Sequence, residues 1–293
     1  MVKKYPVFVM CGRDKKKREL LEILDPDNNY KVKTLLPFLG KRVIDWQLEE
    51  INKSPYVEDI YIIGLSEEMI KFDYPVHYVP VDTLANFADK LIAGIKYFDS
   101  LGKKADTFII SSSDTPGITV ESINEFFEKL TKIGKADYVA SLVPEDITEE
   151  EFPDAKRVVA RFRDHNVYPG ELFTLSRYGI ETGKKIIDEI GERRQKIKRR
   201  KGGGELTVIM KMIFKKPRVW PLILKYLLGL LKLKGGEKLI SILFNGVVKT
   251  IIIRDAGFGM DMDLPEDYER LRQYVMKTKN VSTPKNEIII KMK

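Results

Sequence analysis

Thr107-Phe108-Ile109-Ile110-Ser111-Ser112-Ser113-Asp114-Thr115-Pro116-Gly117-Ile118-Thr119 decides how this chain is read. The apolar run Phe108–Ile110 has the character of a buried strand; it stops at three serines, and Asp114 follows just before Thr115-Pro116. A strand that ends this way delivers a carboxylate to the carboxyl edge of a sheet, the edge where ligands bind in an open α/β sheet. A hard carboxylate there suits Mg²⁺, which takes few protein ligands and shares its other positions with water and phosphate oxygens. A second reading stays open at this point: Asp114 opens a turn, and Thr119 caps a helix running from Val120 to Ile133.

Working outward, Tyr5–Met10, Asp59–Gly64, Val76–Pro80 and Asp137–Leu142 are further short apolar strands. Helical spacing joins them at Val43–Asn52 and again from Leu84 to Phe98, where Asp82 or Thr83 is placed to cap and Asn86 lies one turn in. This strand–helix alternation over residues 5–142 predicts an α/β fold with a mostly parallel, helix-covered sheet. Beyond Pro144 the pattern changes. An edge strand is expected at Val158–Phe162, a turn at Gly170 leading into a strand ending at Leu175, and a helix from Ile180. Apolar helices follow at Leu206–Phe214 and Val219–Leu233, the latter ended by Gly235-Gly236, then a helix at Glu237–Phe244 and a strand at Val247–Ile253. A last helix runs from Pro265 to about Lys277, and Glu287–Met292 forms an edge strand or a tail. The chain reads as a single domain over 1–293, with 184–246 as a helical insertion or subdomain within it.

Its 293 residues are 43% hydrophobic and 32% charged, as in a water-soluble globular protein. A lone cysteine, Cys11, excludes an internal disulfide framework and a cysteine-built zinc site, and two histidines leave little for a histidine-rich metal centre. Met1–Tyr5 is too short and too charged for a signal peptide, and no apolar run reaches the length of a membrane span, so the expected compartment is the cytoplasm. A net charge of +8 favours an anionic partner. The densest basic cluster, Arg193–Lys201, has no interleaved aromatic residues to stack bases, so no specific nucleic-acid partner is expected. The helix carrying Trp220 is expected to pack on the core and partly in a homodimer contact, not on a membrane.

Two further segments carry chemistry. Cys11-Gly12-Arg13-Asp14-Lys15-Lys16 follows the first strand, where freed backbone amides and basic side chains suit a polyphosphate; a solvated charge run opening a helix at Arg18–Leu24 is the alternative. Asp261-Met262-Asp263 precedes the last helix. Extended backbone puts Asp261 and Asp263 on one face, a geometry that completes a metal site with Asp114, while Asp263 also suits the helix N-cap.

Taken together, Lys33-Thr34-Leu35-Leu36-Pro37-Phe38-Leu39-Gly40-Lys41, Ser113–Thr119 and Asp261–Asp267 resemble, in order and separation, the motifs of the GT-A-type nucleotidyltransferases, nearest to the MobA-like NTP transferase domains. The resemblance implies a Rossmann-like GT-A fold and Mg²⁺-dependent transfer of a nucleotidyl group from an NTP to a small phosphorylated acceptor, such as a sugar phosphate or cofactor precursor, with release of pyrophosphate. It implies Lys33, Asp114 and Asp263 as the catalytic set, Asp114, Asp263 and Asp261 as metal ligands, and Gly170 and Glu171 on the acceptor side. The nucleotide would meet Cys11, Gly12, Arg13, Lys15, Lys33, Asp82, Asn86 and Asp114. One departure stands out: family members carry several glycines in the first loop, whereas Arg13 here occupies the place of the second, and a Cβ at that position limits how closely backbone approaches phosphate. A glycosyltransferase of the same fold using a nucleotide sugar, and a non-catalytic nucleotide-binding or membrane-associated regulator, remain alternatives.

Overall fold

Described by a computed structural model over residues 2–13, 19–155, 157–184 and 216–284, the chain begins with β1 (Tyr5–Met10), α1 (Glu19–Leu24), a 3-10 turn at Lys33–Leu35, and the short ribbon β2 (Pro37–Phe38) and β3 (Lys41–Arg42). There follow α2 (Val43–Lys53), β4 (Val57–Ile63), β5 (His77–Val79), α3 (Phe87–Ser100), β6 (Thr107–Ser111) and α4 (Val120–Thr131). The second half holds β7 (Tyr138–Pro144), α5 (Glu145–Glu151), β8 (Ala160–Arg161), β9 (Asn166–Ser176), α6 (Trp220–Leu227), α7 (Leu233–Phe244), β10 (Val248–Ile252) and α8 (Pro265–Lys279).

The main sheet has the order β10-β7-β9-β6-β1-β4-β5, with β8 paired to β9. Among the described strands, β9 runs against its neighbours β6, β7 and β8; the β1–β4, β1–β6, β4–β5 and β7–β10 pairs are parallel. Alternation along the strands sends Val7, Val9, Ile60, Ile62 and Ile109 to one face, against Ile44, Leu48 and Ile51 of α2 and Phe126 and Phe127 of α4. Phe8, Tyr61, Ile63, Phe108 and Ile110 go to the other face, against Leu91 and Phe98 of α3. Both faces are covered, which is why these strands read as unbroken apolar runs. The chain leaves β1 toward β4 and β5, then returns to place β6 on the other side of β1. Strand order therefore reverses between β1 and β6, the switch point at which α/β sheets open a ligand crevice.

A smaller apolar cluster fixes the segments that overhang this crevice. Leu36, Phe38 and Trp46 pack with Met260, Met262, Tyr268, Leu271 and Val275, binding the Lys33 turn and the Asp261–Asp263 segment to α8. Trp46 donates through Nε1 to the Phe38 carbonyl at 2.7 Å, and the Tyr268 hydroxyl donates to the Pro37 carbonyl at 3.0 Å.

Several local expectations change. α3 starts at Phe87, not near Leu84, because Asn86 is its N-cap and accepts from the Asp89 amide at 2.9 Å, while Asp82 accepts from the Leu84 amide in a separate turn. Gly170 lies within the unbroken strand β9 and makes no turn. Its register partner shifts from Ala140↔Phe173 to Leu142↔Pro169, a bulge facing Ser141, and a Cβ at Gly170 would stand 2.3 Å from Ser141 Oγ. The cap of α8 is Leu264, not Asp263: the Asp267 carboxylate accepts from the amides of Leu264 at 2.8 Å and Asp263 at 3.2 Å, so Asp263 is released from capping. The Trp220 helix ends at Leu227, before Gly229 with its φ of +68°, and Gly235-Gly236 lies inside the first turn of α7. α6 buries none of its residues, contrary to the expected core packing. Lys15, Lys16, the Arg193–Lys201 cluster, the helix at Leu206–Phe214 and the segment Glu287–Met292 lie outside the described residues. Among the described residues, no helix is long and apolar enough to cross a membrane.

Candidate active site

Asp114 reaches the carboxyl edge of β6 and is buried there, 5% exposed. The loop that holds it is built from Gln47, fully buried on α2, whose Nε2 donates to Ser111 Oγ at 2.6 Å and to the Ser112 carbonyl at 2.8 Å, while its Oε1 accepts from the Thr115 amide at 3.1 Å. Ser113 Oγ donates to the Met10 carbonyl at 3.1 Å and joins the ends of β6 and β1. The Asp114 carbonyl accepts from the Met262 amide at 3.0 Å, which docks the last motif beside the central one.

Met260 and Met262 turn fully into the core, so Asp261 and Asp263 face outward together. One carboxylate oxygen each from Asp114, Asp261 and Asp263 lie within 4.8 Å of one another. Three hard oxygen donors at this spacing fit a small divalent cation such as Mg²⁺. Two cationic side chains offset part of their charge. The Lys33 ammonium bridges Asp114 and Asp263, and the Arg157 guanidinium pairs with Asp261 while donating to the carbonyls of Gly259 at 2.7 Å and Asp261 at 3.2 Å. Burial alone would lower the Lys33 pKa, but the Asp114 and Asp263 carboxylates outweigh it and hold the ammonium above its usual range.

The first loop is tightly packed. The Arg13 amide donates to the Thr83 carbonyl at 3.3 Å, Lys90 Nζ donates to the same carbonyl at 2.8 Å, and a Cβ at Gly12 would stand 2.6 Å from Lys90 Nζ. Gly64, at φ +104°, lets β4 pass against the Cys11 carbonyl, where a Cβ would come within 2.2 Å. A small cavity of about 30 Å³ lies between Gly12 and Arg13 on one side and Lys33 and Asp263 on the other. Burial pushes the Cys11 thiol up to about 12, and the Cys11 amide already donates to the Ile63 carbonyl at 2.8 Å. Asp82 and Asn86, read from the sequence as nucleotide contacts, spend their side chains on the turn and the cap described above.

The bulge in β9 carries Glu171 to this site. Its carbonyl accepts from the Ser112 amide at 3.2 Å, and burial, then the Asp114 carboxylate, push its carboxyl up to about 7 against the opposing pull of Arg157. Such an acid binds its proton more tightly in the folded state than in the unfolded chain. Folding stability therefore falls as pH rises from the usual carboxylate range to about 7, by roughly 3 kcal/mol at full expression. Glu171→Gln, uncharged throughout, is expected to exceed the wild type in stability by about 2–3 kcal/mol near pH 8 and to match it near pH 4. Urea unfolding at the two pH values checks this, and a difference independent of pH would contradict the buried-carboxylate account.

Sequence reasoning brought together Lys33, Asp114, Asp261, Asp263, Gly12, Arg13 and Glu171, and the structure brings them to one sheet edge. It missed Arg157, Gln47 and Lys90. Gln47 left a signal: it sits with Ile44, Leu48 and Ile51 on the inner stripe of α2, where a polar side chain needs a buried partner. Arg157, in an irregular stretch of a chain with 51 Lys and Arg residues, left none.

No protein-family model matches the sequence, and no curated protein matches it. Solved structures do resemble the fold. A hypothetical transferase from Thermus thermophilus aligns with a TM-score of 0.66 at 19% identity, covering 91% of this chain and 99% of that one. A CMP:2-keto-3-deoxy-manno-octonic acid synthetase in complex with CTP aligns at 0.52 and 11% identity, over 94% and 99%. A nucleotidyl transferase from Methanothermobacter aligns at 0.50 and 11% identity, again over 94% and 99%. The chain therefore has the mixed, mostly parallel, helix-covered α/β fold that these solved structures share, in keeping with its strand order.

Proposed function

We propose that this chain is a cytoplasmic, Mg²⁺-dependent nucleotidyltransferase of the MobA-like kind, moving a nucleotidyl group from an NTP to a small phosphorylated acceptor and releasing pyrophosphate. The observation that carries the reading is Lys33 held between Asp114 and Asp263, side chains from three separate motifs, two of them 230 residues apart, meeting at the switch point of the sheet. Asp114, Asp261 and Asp263 would hold the ion, which when bound supplies Lewis-acid stabilisation of charge on the phosphates. The chain's own residues do the rest by positioning. Gly12 and Arg13 offer backbone and charge to the phosphates across the cavity from Lys33. Lys33, once an incoming phosphate competes with its carboxylates, stabilises the negative charge that builds on the leaving pyrophosphate. Glu171 lies on the β9 side, which we assign to the acceptor. A larger apolar cavity, about 250 Å³ and lined by Phe173, Tyr138 and Phe87, lies farther along β9.

Product analysis tests the reading. Incubated with Mg²⁺, each of the four NTPs in turn and a mixture of sugar phosphates, the protein is expected to yield pyrophosphate and a nucleotide-linked acceptor by ³¹P NMR. Release of a nucleoside diphosphate from a nucleotide sugar, with no pyrophosphate from any NTP, would establish the glycosyltransferase instead.

A further inference from the structure

α6 presents the wrong face to solvent for a helix that serves only its own core. Trp220, Leu224, Leu227 and Leu228, spaced i, i+4, i+7 and i+8, form one stripe, and they are 49%, 58%, 75% and 62% exposed. Leu230 extends the stripe past the left-handed Gly229. The opposite side is what the fold holds. Val219 and Leu231 are buried at either end, the Tyr226 ring meets Phe162 edge-on at 5.7 Å, and the Arg163 amide donates to the Leu231 carbonyl at 2.8 Å. A rigidly mounted apolar stripe of this size is a binding surface.

Its surroundings identify the occupant. Arg218, Lys225, Lys232, Lys234 and Lys238, on α6 and the segments that flank it in the chain, are all exposed, and the nearby Asp164 carboxylate is engaged by the Leu233 amide at 2.8 Å. Glu237 is the one acidic residue between 216 and 247, and its carboxylate is committed to the amide and hydroxyl of Thr250, each at 2.8 Å. A twofold dimer through this face would set the same cationic rim against itself. Lysine is moreover depleted at protein interfaces. An anionic bilayer satisfies both halves of the surface, taking Trp and Leu side chains at the headgroup boundary and lysines among its phosphates. We propose that α6 and the turn after it dock the protein, without crossing, on the surface of an anionic membrane. This rests on the helix alone and is independent of the reaction assigned above.

Flotation of the full chain with phosphatidylglycerol–phosphatidylcholine vesicles, and with phosphatidylcholine vesicles alone, tests it. The protein is expected to float with the anionic vesicles at low salt and to stay below with the neutral ones. Because Trp46 is buried and Trp220 exposed, a blue shift of tryptophan emission reports insertion of α6 itself. The double variant Leu224→Glu, Leu227→Glu alters only exposed positions and is expected to lower partitioning by on the order of 100-fold and abolish the shift. No flotation with anionic vesicles would overturn the proposal, as would flotation that the double variant leaves unchanged. A dimer by light scattering that the double variant converts to monomer would also overturn it, assigning the face to a second copy.

Discussion

Asp114→Asn is expected to lower Mg²⁺-dependent nucleotidyl transfer by at least about 1,000-fold while leaving a folded protein. Asp114 is the buried member of the three-aspartate cluster, tied to two other parts of the site: its carboxylate to Lys33, and its backbone carbonyl to the Met262 amide. Asparagine preserves the shape and the backbone contacts but removes the charge that a divalent ion needs. The structural cost is contained because Lys33 keeps Asp263 as a partner, so no buried cation is stranded. A stability loss of about 1 kcal/mol is expected, with intact circular dichroism and a melting temperature that no longer responds to NTP with Mg²⁺. Full Mg²⁺-dependent turnover in this variant would remove Asp114 from the site.

Lys33→Met should separate two quantities that usually move together. Turnover is expected to fall by roughly 100- to 1,000-fold, since the ammonium that meets developing phosphate charge is gone. Binding of Mn²⁺ in the absence of nucleotide is expected to tighten, because three carboxylates then face Arg157 alone and no ammonium competes for Asp114 and Asp263. The metal-free variant should also be less stable by about 1–3 kcal/mol, through repulsion among the aspartates, and recover on adding Mn²⁺. Isothermal titration with Mn²⁺ reads the first effect directly. An unchanged or weaker Mn²⁺ affinity would show that Lys33 does not hold the place of the ion.

The parts of this molecule legible in its sequence are those in which one residue pattern has one physical solution. Buried parallel strands have to be apolar on both faces, so β1, β4 and β6 announced themselves, and a polar break after such a strand located Asp114. Extended backbone with Met260 and Met262 turned inward likewise put Asp261 and Asp263 outward together. What stayed hidden depended on partners distant in the chain. Gly170 signals equally a turn or a close approach, and only the pairing of β9 with Ser141 decides for the bulge that aims Glu171. The same ambiguity misplaced the end of the Trp220 helix, because Gly229 rather than Gly235-Gly236 adopts positive φ. Periodicity shows that α6 is amphipathic but carries no information on what covers the apolar stripe, and the expectation of core burial failed there. Asp263 was legible as both cap and ligand until Asp267 took over the amides at the start of α8.

Anomalous scattering from Mn²⁺ in crystals grown with an NTP analogue blocked between its α- and β-phosphates tests the central claim most directly. The account predicts a single strong peak about 2.1 Å from carboxylate oxygens of Asp114 and Asp263, with the Lys33 ammonium moved from those carboxylates onto phosphate oxygens. Nucleotide bound elsewhere, or Lys33 still bridging Asp114 and Asp263 with no ion between them, would contradict it.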